Sequence, residues 1–220
     1  MIKKNLKTLI ITTVIILLPM IAGMFIWSEL PDKIPMHWNI KGEVDGWSSK
    51  AFAVFGMPLV FAAVQWVCVF FMSVDPKNKN YSDKMKRLAF MIIPILSIGI
   101  SVAIYASALG TKVLMDAIVP LILGFVFVVI GNYLPKCKQN YTIGIKIPWT
   151  LNDEENWNKT HRLAGWVWVI GGVITMLFAL LRFVLITLIA PLFMALIPVC
   201  YSYILYKKTV KKESDDENNE

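Results

Sequence analysis

Charge is scarce in this chain. Only 17% of its 220 residues are Asp, Glu, Lys or Arg, where a soluble domain carries roughly a quarter. The deficit excludes a large soluble helical protein, because too few polar residues remain to coat that much apolar surface. Cysteine is rare as well. Of the three, Cys68 and Cys200 lie inside apolar runs, where a thiol behaves as a small hydrophobe. No disulfide framework, redox centre or metal site is read from them. With two histidines and no G-x-S-x-G, H-E-x-x-H or paired-cysteine motif, the chain lacks a recognisable catalytic set. It is read as a non-enzyme with no cofactor.

What the chain has is grease, in blocks. Uncharged, mostly apolar stretches run over 8–28, 51–73, 88–111, 117–135, 163–181 and 183–206. A helix rising 1.5 Å per residue crosses a hydrocarbon core of about 30 Å in about 20 residues. Each stretch is close to that length. The expected fold class is therefore an all-α membrane protein with about six transmembrane helices. The first stretch has a basic start at Lys3, Lys4 and Lys7, but its apolar region exceeds the roughly 7–15 residues of a signal peptide. It reads as a retained span. Residues 163–206 are broken only by Arg182, which predicts a tight helical hairpin turning near Leu181–Phe183.

The net charge of +7 sorts by loop, which points to a lipid bilayer as partner and away from direct nucleic-acid binding. The N-terminal tail, 74–87, 136–162 and the tail from Lys207 carry 3, 5, 5 and 4 Lys plus Arg; 29–50, 112–116 and Arg182 carry 3, 1 and 1. Basic short loops stay cytoplasmic on insertion, so both termini are expected inside. The tail, ESDDENNE over 213–220, has the composition of a disordered segment.

Two polar segments carry pattern. The first is 30–50, LPDKIPMHWNIKGEVDGWSSK, expected as a compact loop on the outer face, with Trp38 and Trp47 at headgroup level. His37, Asp32, Glu43 and Asp45 match no zinc spacing, so no metal is assigned there. The second is 131–165, expected inside. There Pro135 ends the fourth span, and Pro148 makes the segment around Trp149 a connector lying on lipid or a docking face for a cytoplasmic protein. Asn152 reads as a helix N-cap with a capping-box Glu155. The helix begun there places Trp157, His161, Ala164, Gly165, Trp168 and Gly172 on one face. Gly124 and Gly131 on the fourth span are expected to form the facing groove. His161 is read as a hydrogen-bonding residue of the loop.

The run Gly131-Asn132-Tyr133, Asn140, Gly144-Ile145-Lys146-Ile147-Pro148-Trp149-Thr150-Leu151, Trp157, Thr160-His161-Arg162 and Gly165 closely resembles the SdpI family of bacterial membrane proteins. The outer loop, through Leu30-Pro31, Ile34-Pro35, His37-Trp38, Asn39, Gly42 and Asp45, resembles the domain common in the N-terminal half of the same proteins. One departure is that Lys146 and Ile147 stand where the family usually has Arg and Thr. Lysine keeps the charge but loses the bidentate fork.

The resemblance implies a multi-pass protein of the bacterial cell membrane that gives immunity to a secreted toxic peptide. It also implies signalling, by holding a cytoplasmic transcriptional repressor at the membrane. Under that reading His37, Trp38, Asn39 and Asp45 would meet the peptide outside, and Lys146, Pro148, Trp149, Trp157 and His161 would dock the partner inside. The expected organisation is a two-span unit over 1–73 with the outer loop 29–50. A basic inner loop and third span follow over 74–116, then a family-like unit over 117–206 with inner loop 136–162, and a disordered tail over 207–220. The alternative is a small transporter or exporter of a peptide or amphipathic compound. The few polar groups inside the spans, chiefly Gln65, Ser97, Ser101, Tyr105 and Asn132, argue against ion coupling.

Overall fold

The structure is a computed structural model that describes residues 2–217. Its order is α1 (Ile2–Phe25), a hairpin of β1 (Lys33–Trp38) and β2 (Val44–Ser49), α2 (Met57–Val74), α3 (Asp83–Ala108), α4 (Met115–Tyr133), a short α5 (Pro148–Asn152), α6 (Glu154–Leu180) and α7 (Val184–Glu217). A π turn over Phe52–Gly56 leads into α2. Six of these helices are long and apolar enough to cross a membrane. Large apolar side chains, such as Ile10, Val14 and Ile21 on α1 and Leu185, Leu188 and Leu192 on α7, remain exposed on the outside of the bundle. In water that surface would be untenable; in lipid it is the solvated face. The protein is a multi-pass membrane protein.

The helices form two packed groups. In the first, α1, α2 and α3 are tied by hydrogen bonds from the few polar side chains their spans contain. Ser97 Oγ donates to the Ile16 carbonyl at 2.9 Å, Tyr105 OH to the Pro19 carbonyl at 3.0 Å, and Gln65 Nε2 to Thr12 Oγ1 at 2.6 Å. An apolar medium leaves such groups no other partners. In the second, α4 lies against α6 at backbone contact. A Cβ built on Gly172 would lie 2.6 Å from the Gly124 carbonyl oxygen, and one on Gly165 would lie 3.0 Å from that of Gly131. The glycine groove expected from the sequence is thus present. Helix α7 joins through Trp168 Nε1, which donates to the Met194 carbonyl at 3.0 Å.

The turn after α6 falls at Leu181–Arg182, as the length of the apolar run requires. Arg182 takes φ +59°. Phe183 N–H donates to Phe178 O and Arg182 N–H to Ala179 O, while the Phe178 and Phe183 rings meet edge to face at 5.9 Å. This is a Schellman ending with its hydrophobic contact, built on an arginine where glycine is usual.

Four expectations change. Residues 33–49 form an antiparallel hairpin with irregular register around His37, where a loop lying on the membrane face was expected. Alternation turns Ile34 and Trp38 toward a core containing Val54, Ile104 and Met115, while Trp47 is exposed; only Trp47 is free to meet lipid. Pro148 opens α5, because a proline at the first helical position forfeits an N–H that lacks a partner anyway. Asn152 is the last residue of α5, and the N-cap of α6 is Asp153, whose carboxylate accepts from the backbone of Glu155 and Asn156. Helix α7 continues through 207–217 of the tail expected to be disordered; Lys211 and Asp215, and Lys212 and Asp216, stand at the four-residue spacing that supports an exposed helix. The last three residues of that tail, 218–220, lie outside the described residues.

Candidate functional site: two patterned ends of the bundle

One end holds the hairpin, the α3–α4 turn and the α6–α7 turn. At the hairpin tip Asn39 Oδ1 accepts from the backbone of Lys41 and Glu43, and its Nδ2 donates to Glu43 Oε2 at 3.0 Å. This Asx arrangement sets the turn and leaves Gly42 at φ +78°. A Cβ on Gly42 would lie 3.2 Å from the Asp116 carboxyl carbon, so the tip rests on the start of α4. Asp116 in turn accepts from Arg182 Nη2 and Nε, both at 2.8 Å. His37 Nδ1 meets Asp45 Oδ1 at 2.5 Å on the outer side of the hairpin, with the imidazole largely exposed. Beneath Met36–Ile40 lies a cavity of about 350 Å³, walled by Ile100 and Ile104 of α3, Ile118 and Val119 of α4, and Leu188 of α7. The lining is mostly apolar, with polar groups at His37, Asn39, Asp116 and Thr187. Such a shape accepts a greasy side chain presented by a polar backbone.

The other end is organised around a residue the sequence reading passed over, Asp75. Its Oδ2 accepts from the Tyr81 hydroxyl, from Tyr141 N–H and from Thr142 Oγ1, the last two at 2.9 Å; Oδ1 accepts from Lys77 N–H at 2.7 Å. Burial alone would raise the pKa of this carboxyl, but the four hydrogen bonds outweigh it and hold it below the ordinary value. Burial pushes the Tyr81 phenol up, reinforced by its bond to Asp75. Asn140 is wholly buried. Its Oδ1 accepts from Thr142 and Ile143 N–H, and its Nδ2 donates to the carbonyls of Lys138 and Ile143. Burial also pushes the Cys137 thiol up to about 11, so it stays protonated and unreactive.

Below this knot Trp157 and His161 stack at 3.9 Å, and both are buried. Trp157 Nε1 donates to the Cys137 carbonyl at 2.7 Å. His161 Nε2 accepts from Ile145 N–H at 3.0 Å, which leaves the ring proton on Nδ1, donated to the Trp157 carbonyl at 2.8 Å. A backbone amide only donates, so the bonding fixes the neutral tautomer. Gly144, at φ +116°, lets the chain pass over that ring. Thr150 Oγ1 closes the loop, donating to the Ile145 carbonyl at 2.8 Å.

Residues 136–202 match the family model described as the SdpI/YfhL protein family, and residues 14–62 match a domain of unknown function, DUF1648. The chain is 28% identical over 212 residues to the Immunity protein SdpI of Bacillus subtilis (strain 168), an alignment covering 94% of this chain and 97% of that relative. The chain is thus similar to the SdpI family over its C-terminal part, and to one relative along nearly its whole length. No solved structure matches it.

The SdpI-family segment thus contains the Asn140–Gly144–Trp157–His161 knot, and the DUF1648 segment contains the hairpin. Of the inner residues singled out from the sequence, Lys146 and Pro148 are exposed, and Trp149 is half-buried against the Tyr203 and Tyr206 rings of α7. Trp157 and His161 are interior. At the hairpin end, His37 and Asp45 are exposed and paired, Asn39 shapes the tip, and Trp38 faces the cavity. Asp75 was missed; in the sequence it is a lone acid at the close of a span, followed by Pro76 and then by Lys77 and Lys79, with nothing to mark its distant donors.

Proposed function

We propose that this protein is a membrane immunity protein that protects its cell against a secreted toxic peptide. The observation carrying this reading is the collinear similarity, nearly end to end, to a relative named as an immunity protein. In the proposal the hairpin end faces outward, consistent with the charge asymmetry of the loops. The toxin places an apolar side chain in the cavity beneath Met36–Ile40, with His37, Asn39 and Asp45 meeting its polar groups. Occupancy bears on the tip, and through Gly42 on Asp116 at the start of α4. The backbone-tight α4–α6 pair carries that load to the opposite end, since two helices joined at glycine contacts move as one body.

The inner knot is the output. Lys146 and Pro148 form the face that a cytoplasmic repressor protein would meet, while Trp157 and His161 hold that face in shape from beneath. Expression in a toxin-sensitive strain tests immunity directly: the intact protein restores survival, and unchanged killing refutes the reading. Lys146→Glu should spare survival yet release a fluorescently tagged repressor from the membrane; retention of the repressor would remove signalling from the proposal. Peptide flux in proteoliposomes, if found, would favour the transporter reading.

A further inference from the structure

Helix α3 has a second face besides the one packed on α1. Lys84, Arg87, Leu88, Met91, Ile92 and Ile95 share one helical face, since each lies three or four residues from another of the set. They form one wall of a groove of about 470 Å³ whose other wall is Phe125, Val126, Val129 and Tyr133 of α4. From Lys84 to Ile95 the helix rises about 16 Å, roughly half of a ~30 Å hydrocarbon core. The groove is therefore one leaflet deep, apolar along its length and cationic at its mouth. Lys84 and Arg87 are exposed, and among the described residues neither makes an ion pair. The nearby acid, Asp83, lies 3.2 Å from Lys86. A third cation, Lys136, stands 5.3 Å over the ring of Tyr133, one of the groove's lining residues. Among the described residues no carboxylate lines the groove.

The geometry points to a binding site for one anionic glycerophospholipid, with an acyl chain along the α3–α4 groove and its phosphate between Lys84 and Arg87. A soluble anion would leave the apolar length unused. A zwitterionic lipid would bring its own cation to a mouth already lined by two. An annular lipid with no preference would need no such cluster. The site does not depend on the immunity reading, and loss of either leaves the other standing.

Native mass spectrometry of the full chain, released from micelles containing phosphatidylglycerol and phosphatidylcholine in equal amounts, tests it. The unaltered protein should retain phosphatidylglycerol preferentially. Each cation near a membrane surface contributes about fivefold to anionic-lipid affinity, so Lys84→Gln with Arg87→Gln should cut the preference about 30-fold. Lys86→Gln, adjacent in sequence but paired with Asp83, should leave it unchanged. Val129→Trp fills the groove without touching a charge and should lower retention of the anionic lipid. Equal retention of the two lipids by the unaltered protein overturns the proposal, whatever the variants do. So does an equal loss from Lys86→Gln and from the double variant.

Discussion

Replacing Gly144 by alanine should unlock the knot around His161 while leaving the spans intact. Two costs act there. The backbone sits at φ +116°, which a residue with a Cβ adopts at a cost of about 1–3 kcal/mol. The new Cβ would also lie 2.4 Å from His161 Nε2, the atom that accepts Ile145 N–H. The imidazole is stacked on Trp157 and cannot withdraw cheaply, so the bond is lost and a buried amide stranded, at about 1–3 kcal/mol. Overlapping terms of this kind sum to roughly 3 kcal/mol, which corresponds to exchange of the Ile145 amide faster by about a hundredfold. Hydrogen exchange of residues 143–147 in nanodiscs reads this directly. Gly110→Ala is the matched control: it too has positive φ, at +84°, but nothing lies within 4 Å of its Cβ, so it carries the backbone cost alone and should leave Ile145 untouched. Unchanged protection at Ile145 in Gly144→Ala, or an equal change in Gly110→Ala, would refute the reasoning.

The Asp75 knot should be acid-sensitive. A carboxyl held below its ordinary value stabilises the fold fully above about pH 4 and loses that contribution as pH falls through the folded value, so protease nicking within 136–147 should rise on acidification in the parent and less so in Asp75→Asn, which starts out weakened. Gly131→Ala should lower the thermal midpoint in detergent far more than Gly99→Ala, because the added Cβ meets backbone at 2.7 Å (Val169 N) in the first case and only the flexible end of Ile122 at 3.2 Å in the second; equal midpoints would refute close α4–α6 packing as a determinant of stability.

The spans were legible because lipid demands about 20 apolar residues in a row and the chain supplies them in uncharged blocks. The α4–α6 seam was legible for a related reason, since glycines at helical spacing have few uses in a membrane besides close approach. The hairpin was not. Pro35 and Gly46 interrupt the alternation that marks a strand, and the register slips on both sides of His37. Asp75 was hidden by distance: its donors Tyr141 and Thr142 lie 66 and 67 residues away, beyond any local pattern. The family motif located the knot around Asn140 and His161 but not its logic, because a motif does not distinguish exposed side chains, such as Lys146, from those, such as Trp157 and His161, that are buried.

The distribution of polar bonds and glycines divides the bilayer-embedded mass into a left jaw, α1 to α3, and a right jaw, α4 with α6 and α7. The jaws are pinned at both water-facing rims, by the hairpin tip resting on Asp116 at one and by Asp75 gripping Tyr141 and Thr142 at the other. Between the rims α3 and α4 face each other across an apolar groove. A shear of one jaw on the other is therefore resisted by polar ties at the two rims and by apolar contact alone between them, as at Gly99 and Ile122. The ordered polar structure of the molecule is accordingly concentrated at the two surfaces, where the jaws are joined.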